Sequence, residues 1–147
     1  MKAPSWISNL FNNNLRADTK RLMVVDNEEA PRKAVMEYFL SKGYRVLSAK
    51  NGVEAISNTI NQAIDVIIMK ALLPDLSGYE AAPIIKKINP KVHIILTLKE
   101  DPPEDPQEAK QIDFFHCFLE PLKLEEIERT IQMTTKTRNL KEEAACF

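Results

Sequence analysis

Ile64-Asp65-Val66-Ile67-Ile68-Met69-Lys70-Ala71-Leu72-Leu73-Pro74-Asp75-Leu76-Ser77-Gly78 is the stretch whose reading decides the fold. Asp65 to Met69 reads as a continuous apolar strand, the kind covered on both faces of a parallel sheet. Lys70 closes the run. The spacing beyond Pro74 predicts a helix from about Ser77 to Ile88, closed by Asn89-Pro90.

Outward from this unit the same alternation repeats. Arg21 to Val25 is a short apolar run ending at Asp26, and it reads as a buried strand. Pro31 follows in the first turn of a helical stretch whose apolar residues Ala34, Val35, Tyr38, Phe39 and Leu40 recur at helical spacing, with Gly43 as its stop. Tyr44 to Leu47 reads as an edge-like strand, and a helix marked by Val53, Ala55, Ile56 and Ile60 opens after Asn51-Gly52. Val92 to Leu96, ending at Thr97, and Phe114 to Leu119, ending at Glu120-Pro121, are the last two strands. A final helix starts near Leu122. Strands alternating with helices imply a parallel sheet with helices on both faces and right-handed crossovers. Between the last two strands, residues 99–106 hold three prolines and four acids, so only a short helix, from about Gln107 to Gln111, is expected there.

The bulk properties narrow the function classes. A chain of 147 residues can bury a full core without staples. Its 20 basic and 21 acidic side chains give a net charge of −1, which argues against a nucleic-acid footprint. Cys117 and Cys146 form no disulfide framework or metal cluster, and Cys117, in an apolar run, reads as a small core residue. No apolar stretch reaches the ~18 residues needed to span a bilayer. The start lacks a secretory pattern, so a cytoplasmic address is expected. There is no phosphate-cradling loop among the chain's three glycines and no nucleophile arrangement, and His93 and His116 lie in strand patterns. No enzymatic activity is expected.

Several markers in order and spacing resemble the response-regulator receiver domain. They are Val24-Val25-Asp26 after the first strand, Asp65, Pro74 and Gly78 around the third, Ala49 to Ala55 at the second helix, Thr97 after the fourth, and Glu120-Pro121 after the fifth. The resemblance runs from about Lys20 to Gln132. It implies a flavodoxin-like, doubly wound five-stranded parallel sheet of order 2-1-3-4-5. The expected organisation is an N-terminal arm over 1–19, the receiver-like domain over 20–134 and a polar C-terminal extension of the last helix over 135–147.

The family's chemistry needs an acceptor Asp, acids that hold Mg²⁺, a Lys facing the phosphoryl group and a hydroxyl, at the C-terminal edge of the sheet. The matching positions here are Lys70 for the acceptor, Asp26 and Asn27 for the metal acids, Glu120 for the Lys, and Thr97 for the hydroxyl. An ammonium cannot take a phosphoryl group as a carboxylate does, so the resemblance implies an atypical receiver with no cofactor and with Mg²⁺ binding lost or very weak. Lys70 and Glu120 exchange the signs the family places there, and an ion pair between them, supported by Asp26, is expected. Cys117 occupies the position of the family's switch aromatic and is too short to swing.

The expected role is a stand-alone, phosphorylation-independent protein-interaction module of signal transduction. Its partner would be a signalling protein, a histidine kinase or a second copy in a homodimer, met through the segment between the fourth and fifth strands, the fifth strand and the last helix. The alternatives are a receiver phosphorylated on Asp26 or Asp75, and a small-ligand-sensing relative. Trp6, Ile7, Leu10 and Phe11 fall on one side of a helix, suiting an arm that docks on protein, its own or another copy, and the weak positive charge argues against membrane anchoring.

Overall fold

The computed structural model describes residues 20–99 and 116–145, with side chains through residue 134. The elements run β1 (Arg21–Val25), α1 (Glu29–Ser41), β2 (Arg45–Ala49), α2 (Gly52–Asn61), β3 (Val66–Lys70), α3 (Gly78–Ile88), β4 (His93–Leu98), β5 (His116–Leu119) and α4 (Leu124–Ala145). The five strands pair in parallel in the order β2-β1-β3-β4-β5, as the resemblance implies. The N-terminal arm and the short helix expected at Gln107–Gln111 lie outside the described residues.

The period of two along each strand splits the core between two faces. Met23, Val25, Ile67, Met69, Ile94 and Leu96 pack with Ala55 of α2 and Ala81, Ala82 and Ile85 of α3. Leu22, Val24, Val66, Ile68 and Ile95 turn the other way, to Val35 and Phe39 of α1 and Ile127 and Ile131 of α4. Every residue of β3 is buried, which is why Val66–Met69 reads as an unbroken apolar run.

Local chemistry sets the helix starts. The Asn51 side chain accepts from the Glu54 N–H at 2.8 Å and Ser77 accepts from the Glu80 N–H at 3.1 Å, each meeting an orphan donor. Gly43, at φ 93°, supplies the left-handed residue that ends α1. At Gly78 a Cβ would stand 3.0 Å from Leu96 Cδ2 and 3.1 Å from the Lys70 carbonyl oxygen, so only glycine lets α3 start this close to the end of β3.

Cys117 departs from the core role expected of it. It is exposed: β5 is the last strand of the sheet among the described residues, Phe118 turns to the α1–α4 core, and Cys117, on the alternate face, is not among the residues of the α2–α3 core. No helix among the described residues is long and apolar enough to cross a membrane. The backbone of α4 continues to Ala145.

Candidate functional site

The register of the central strands builds the site. Lys70 is the last residue of β3 and lies opposite Thr97 of β4, so the two share a face of the sheet. Alternation from Ile68 and Val24 puts Lys70, Thr97 and Asp26 on the α1 side, at the C-terminal edge. All three are buried. The exposed Asn27 follows Asp26, and Glu28 begins the turn into α1.

Lys70 Nζ lies 3.2 Å from Glu28 Oε1 and 3.9 Å from Asp26 Oδ1. The same Glu28 oxygen receives Lys99 Nζ at 3.2 Å. Glu120 is not an ion-pair partner of Lys70 among the described residues, contrary to the pairing the sequence suggests. The reason is distance across the sheet. Glu120 follows β5, two strands from β3, and adjacent strands stand about 4.8 Å apart. Asp26 follows β1, the immediate neighbour of β3 on the other side. Glu120 instead acts on Lys99, which follows β4 and lies between them. The site is therefore a row of alternating charge: Asp26, Lys70, Glu28, Lys99, Glu120.

Backbone contacts fix the inner end of this row. Asp26 N–H donates to the Ala49 carbonyl at 3.1 Å, its carboxylate accepts the Glu28 N–H at 2.9 Å, and the buried Arg32 guanidinium donates to its carbonyl at 2.9 Å. The outer end is more open, with the Glu28 and Lys99 side chains half exposed. Hydrogen bonds from Lys99 and Lys70 hold the Glu28 carboxyl below its usual range, and the bond to Glu28 raises Lys99. Glu28, Lys99 and Arg32 were not picked out by the sequence motifs. The signal was present in Glu28, two residues beyond Asp26, and in Lys99, two beyond Thr97.

Asp75 has a different job from the row. Its two carboxylate oxygens accept the N–H groups of Gly52 at 2.9 Å and Val53 at 2.8 Å, tying the loop after β3 to the start of α2. Burial pushes its carboxyl up, but these bonds, with others from the backbone of Leu76 and of Asp75 itself, outweigh it and the group stays below its ordinary value.

A match to the response regulator receiver domain covers residues 22–132. The chain belongs to the response regulator receiver domain family. Receiver domains serve two-component signalling and interact with signalling proteins such as kinases. Sporulation initiation phosphotransferase F of Bacillus subtilis is 22% identical over 113 residues, covering 77% of this chain and 91% of that protein. Probable transcriptional regulator ycf29 of Pyropia yezoensis is 36% identical over 67 residues, 46% of this chain. The matched stretch covers only 30% of that regulator's length. Among solved structures, a CheY-like receiver domain protein from Methanospirillum hungatei JF-1 superposes with a TM-score of 0.78 at 18% identity, over 83% of this chain and 98% of that one. That likeness speaks for the fold.

Proposed function

We propose that this receiver has lost phosphoryl transfer and works as a phosphorylation-independent interaction module, with the charge row standing where a phosphoryl group and metal would otherwise sit. The observation that carries this reading is the Lys70 ammonium, 9% exposed and held between the carboxylates of Asp26 and Glu28. A magnesium ion needs near-octahedral oxygen coordination. Here the nearest carboxylates already face an ammonium, whose charge repels a second cation, so the residues do not fit the metal. Nor is a group of three or more metal-ligating side chains suitably arranged among the described residues.

Phosphorylation elsewhere finds little support in the geometry. The Asp26 carboxylate is engaged by the Glu28 N–H and lies beside Lys70, and both Asp75 oxygens accept backbone N–H groups. The reading leaves a module whose contacts to a kinase, another signalling protein or a second copy are made in one fixed state. Incubation with acetyl phosphate and Mg²⁺, followed by intact-mass measurement, tests it. An unchanged mass is expected. A stoichiometric gain of one phosphoryl group overturns the proposal, and loss of that gain in Asp26→Asn or Asp75→Asn would locate the acceptor.

A further inference from the structure

Three isoleucines stand out on the α2–α3 side of the sheet. Ile60, one residue from the end of α2, is 64% exposed; Ile84 and Ile88, one turn apart at the end of α3, are 42% and 38% exposed. Helices that return between parallel strands end at the edge where the strands begin. A hydrogen bond ties the end of α3 to the place where the chain enters the sheet. Asn89, the C-cap of α3, donates its side-chain N–H to the Ile64 carbonyl at 3.0 Å. The next residue, Asp65, exchanges bonds with Arg21, its N–H donating to the Arg21 carbonyl and its carboxylate accepting the Arg21 N–H, each at 2.9 Å. The first strand therefore begins beside an exposed apolar patch.

The nineteen residues that precede Lys20 carry the complementary surface. Trp6, Ile7, Leu10 and Phe11 fall on one side of a helix, which cannot bury that side alone. Nine residues separate Phe11 from Arg21, and the ten steps of chain between them reach up to ~33 Å when extended, whereas α3 with its eleven residues is about 16 Å long. The tether is ample. It also sets the occupant, because a segment joined by a short linker meets its own domain at an effective concentration on the order of millimolar, above that of a second copy in dilute solution.

We propose that residues 1–19 dock within the same molecule, laying Trp6, Ile7, Leu10 and Phe11 on the patch of Ile60, Ile84 and Ile88. Apolar burial has to carry the contact. The arm's side chains carry little net charge, Lys2 and Arg16 against Asp18.

Trp6 is the sole tryptophan, so its fluorescence reports the arm alone. In the full chain its emission is expected blue of the urea-unfolded chain and shielded from acrylamide, unchanged on dilution. Ile60→Lys and the pair Ile84→Lys with Ile88→Lys should each return the emission to the unfolded position while circular dichroism stays native. Leu40→Lys, exposed on the opposite side of the sheet, should leave it unchanged. A second measurement leaves the patch intact: in Trp6→Ser with Leu10→Ser, amides at the ends of α2 and α3 should exchange faster. Trp6 emission already at the unfolded position, or indifference to the patch variants, overturns the proposal. So does a blue shift that disappears on dilution together with a dimer in sedimentation, which would put the arm on a second copy.

Discussion

Replacing Lys70 by Met keeps most of the aliphatic stem and removes only the ammonium, which isolates the charge row from packing. The side chains of Lys70 and Asp26 are 9% and 12% exposed, while Glu28 is 48% exposed. At about 4 Å and an effective dielectric near 20, a charge pair gains about 4 kcal/mol before desolvation is subtracted. Stranding one member of a fully buried pair costs about 3–5 kcal/mol. Two features lower that figure here: Asp26 keeps the Glu28 N–H as a partner, and Glu28 is open enough to water that solvent screens its share. Lys70→Met should therefore destabilise by about 2–3 kcal/mol, which at about 2–4 °C per kcal/mol for chains of this size is a fall in Tm of about 4–12 °C. The assay is urea denaturation followed by circular dichroism, run as double-mutant cycles against Asp26→Asn and Glu120→Gln. Coupling of about 1–2 kcal/mol is expected with Asp26, and less than about 0.5 kcal/mol with Glu120. A loss below about 0.5 kcal/mol for Lys70→Met, or coupling to Glu120 as strong as to Asp26, would refute the reasoning.

The remaining expectations rest on single groups. Glu28 has its carboxyl pushed below its ordinary value of 4.5 by Lys99 and Lys70, so it favours the folded state fully above that pH. That contribution is lost as pH falls through the lowered folded value, and Glu28→Gln should flatten the acid limb of a stability–pH curve measured below 4.5 while leaving its shape near neutrality unchanged. Asp75→Ala removes a cap from the first turn of α2 and should cost about 1 kcal/mol in urea denaturation, with faster amide exchange confined to Gly52 and Val53 and their loop. Lys70→Asp gathers a third carboxylate beside Asp26 and Glu28; titration calorimetry should then detect Mg²⁺ binding, with none expected for the natural chain.

Much of the fold could be read in the chain because both-face burial leaves an unmistakable pattern. The run Val66–Met69 has nowhere to go but the middle of a parallel sheet, and Asn51, Ser77 and Gly43 mark helix ends by chemistry that needs no tertiary partner. Exposure was harder to read. Cys117 sits among apolar neighbours, yet burial depends on what packs over its face of the sheet, which the run itself does not encode, and its side chain meets solvent. The site was legible as a set of positions and not as a set of contacts. Asp26, Lys70 and Thr97 follow from where strands end; the partner of Lys70 follows from which strand lies next to β3 and how far a loop carboxylate reaches.

A row behaves differently from the single pair that the sequence suggested. In a pair, loss of one member strands the other completely. Here Glu28 bridges two ammoniums with one oxygen, and Lys99 lies between Glu28 and the charge of Glu120, so each inner charge has a neighbour of opposite sign on either side. Removing Glu120 at the outer end leaves Lys99 bound to Glu28 in a half-exposed setting, where solvent screens the loss. Removing Lys70 at the buried end brings Asp26 and Glu28 together as like charges with little water between Asp26 and its surroundings. The sensitivity of the row should therefore be greatest at the buried Asp26–Lys70 end and smaller at Lys99 and Glu120, following burial and not the number of ion pairs each group makes. Measured losses for Lys99→Met or Glu120→Gln as large as that for Lys70→Met would show that burial does not set the sensitivity.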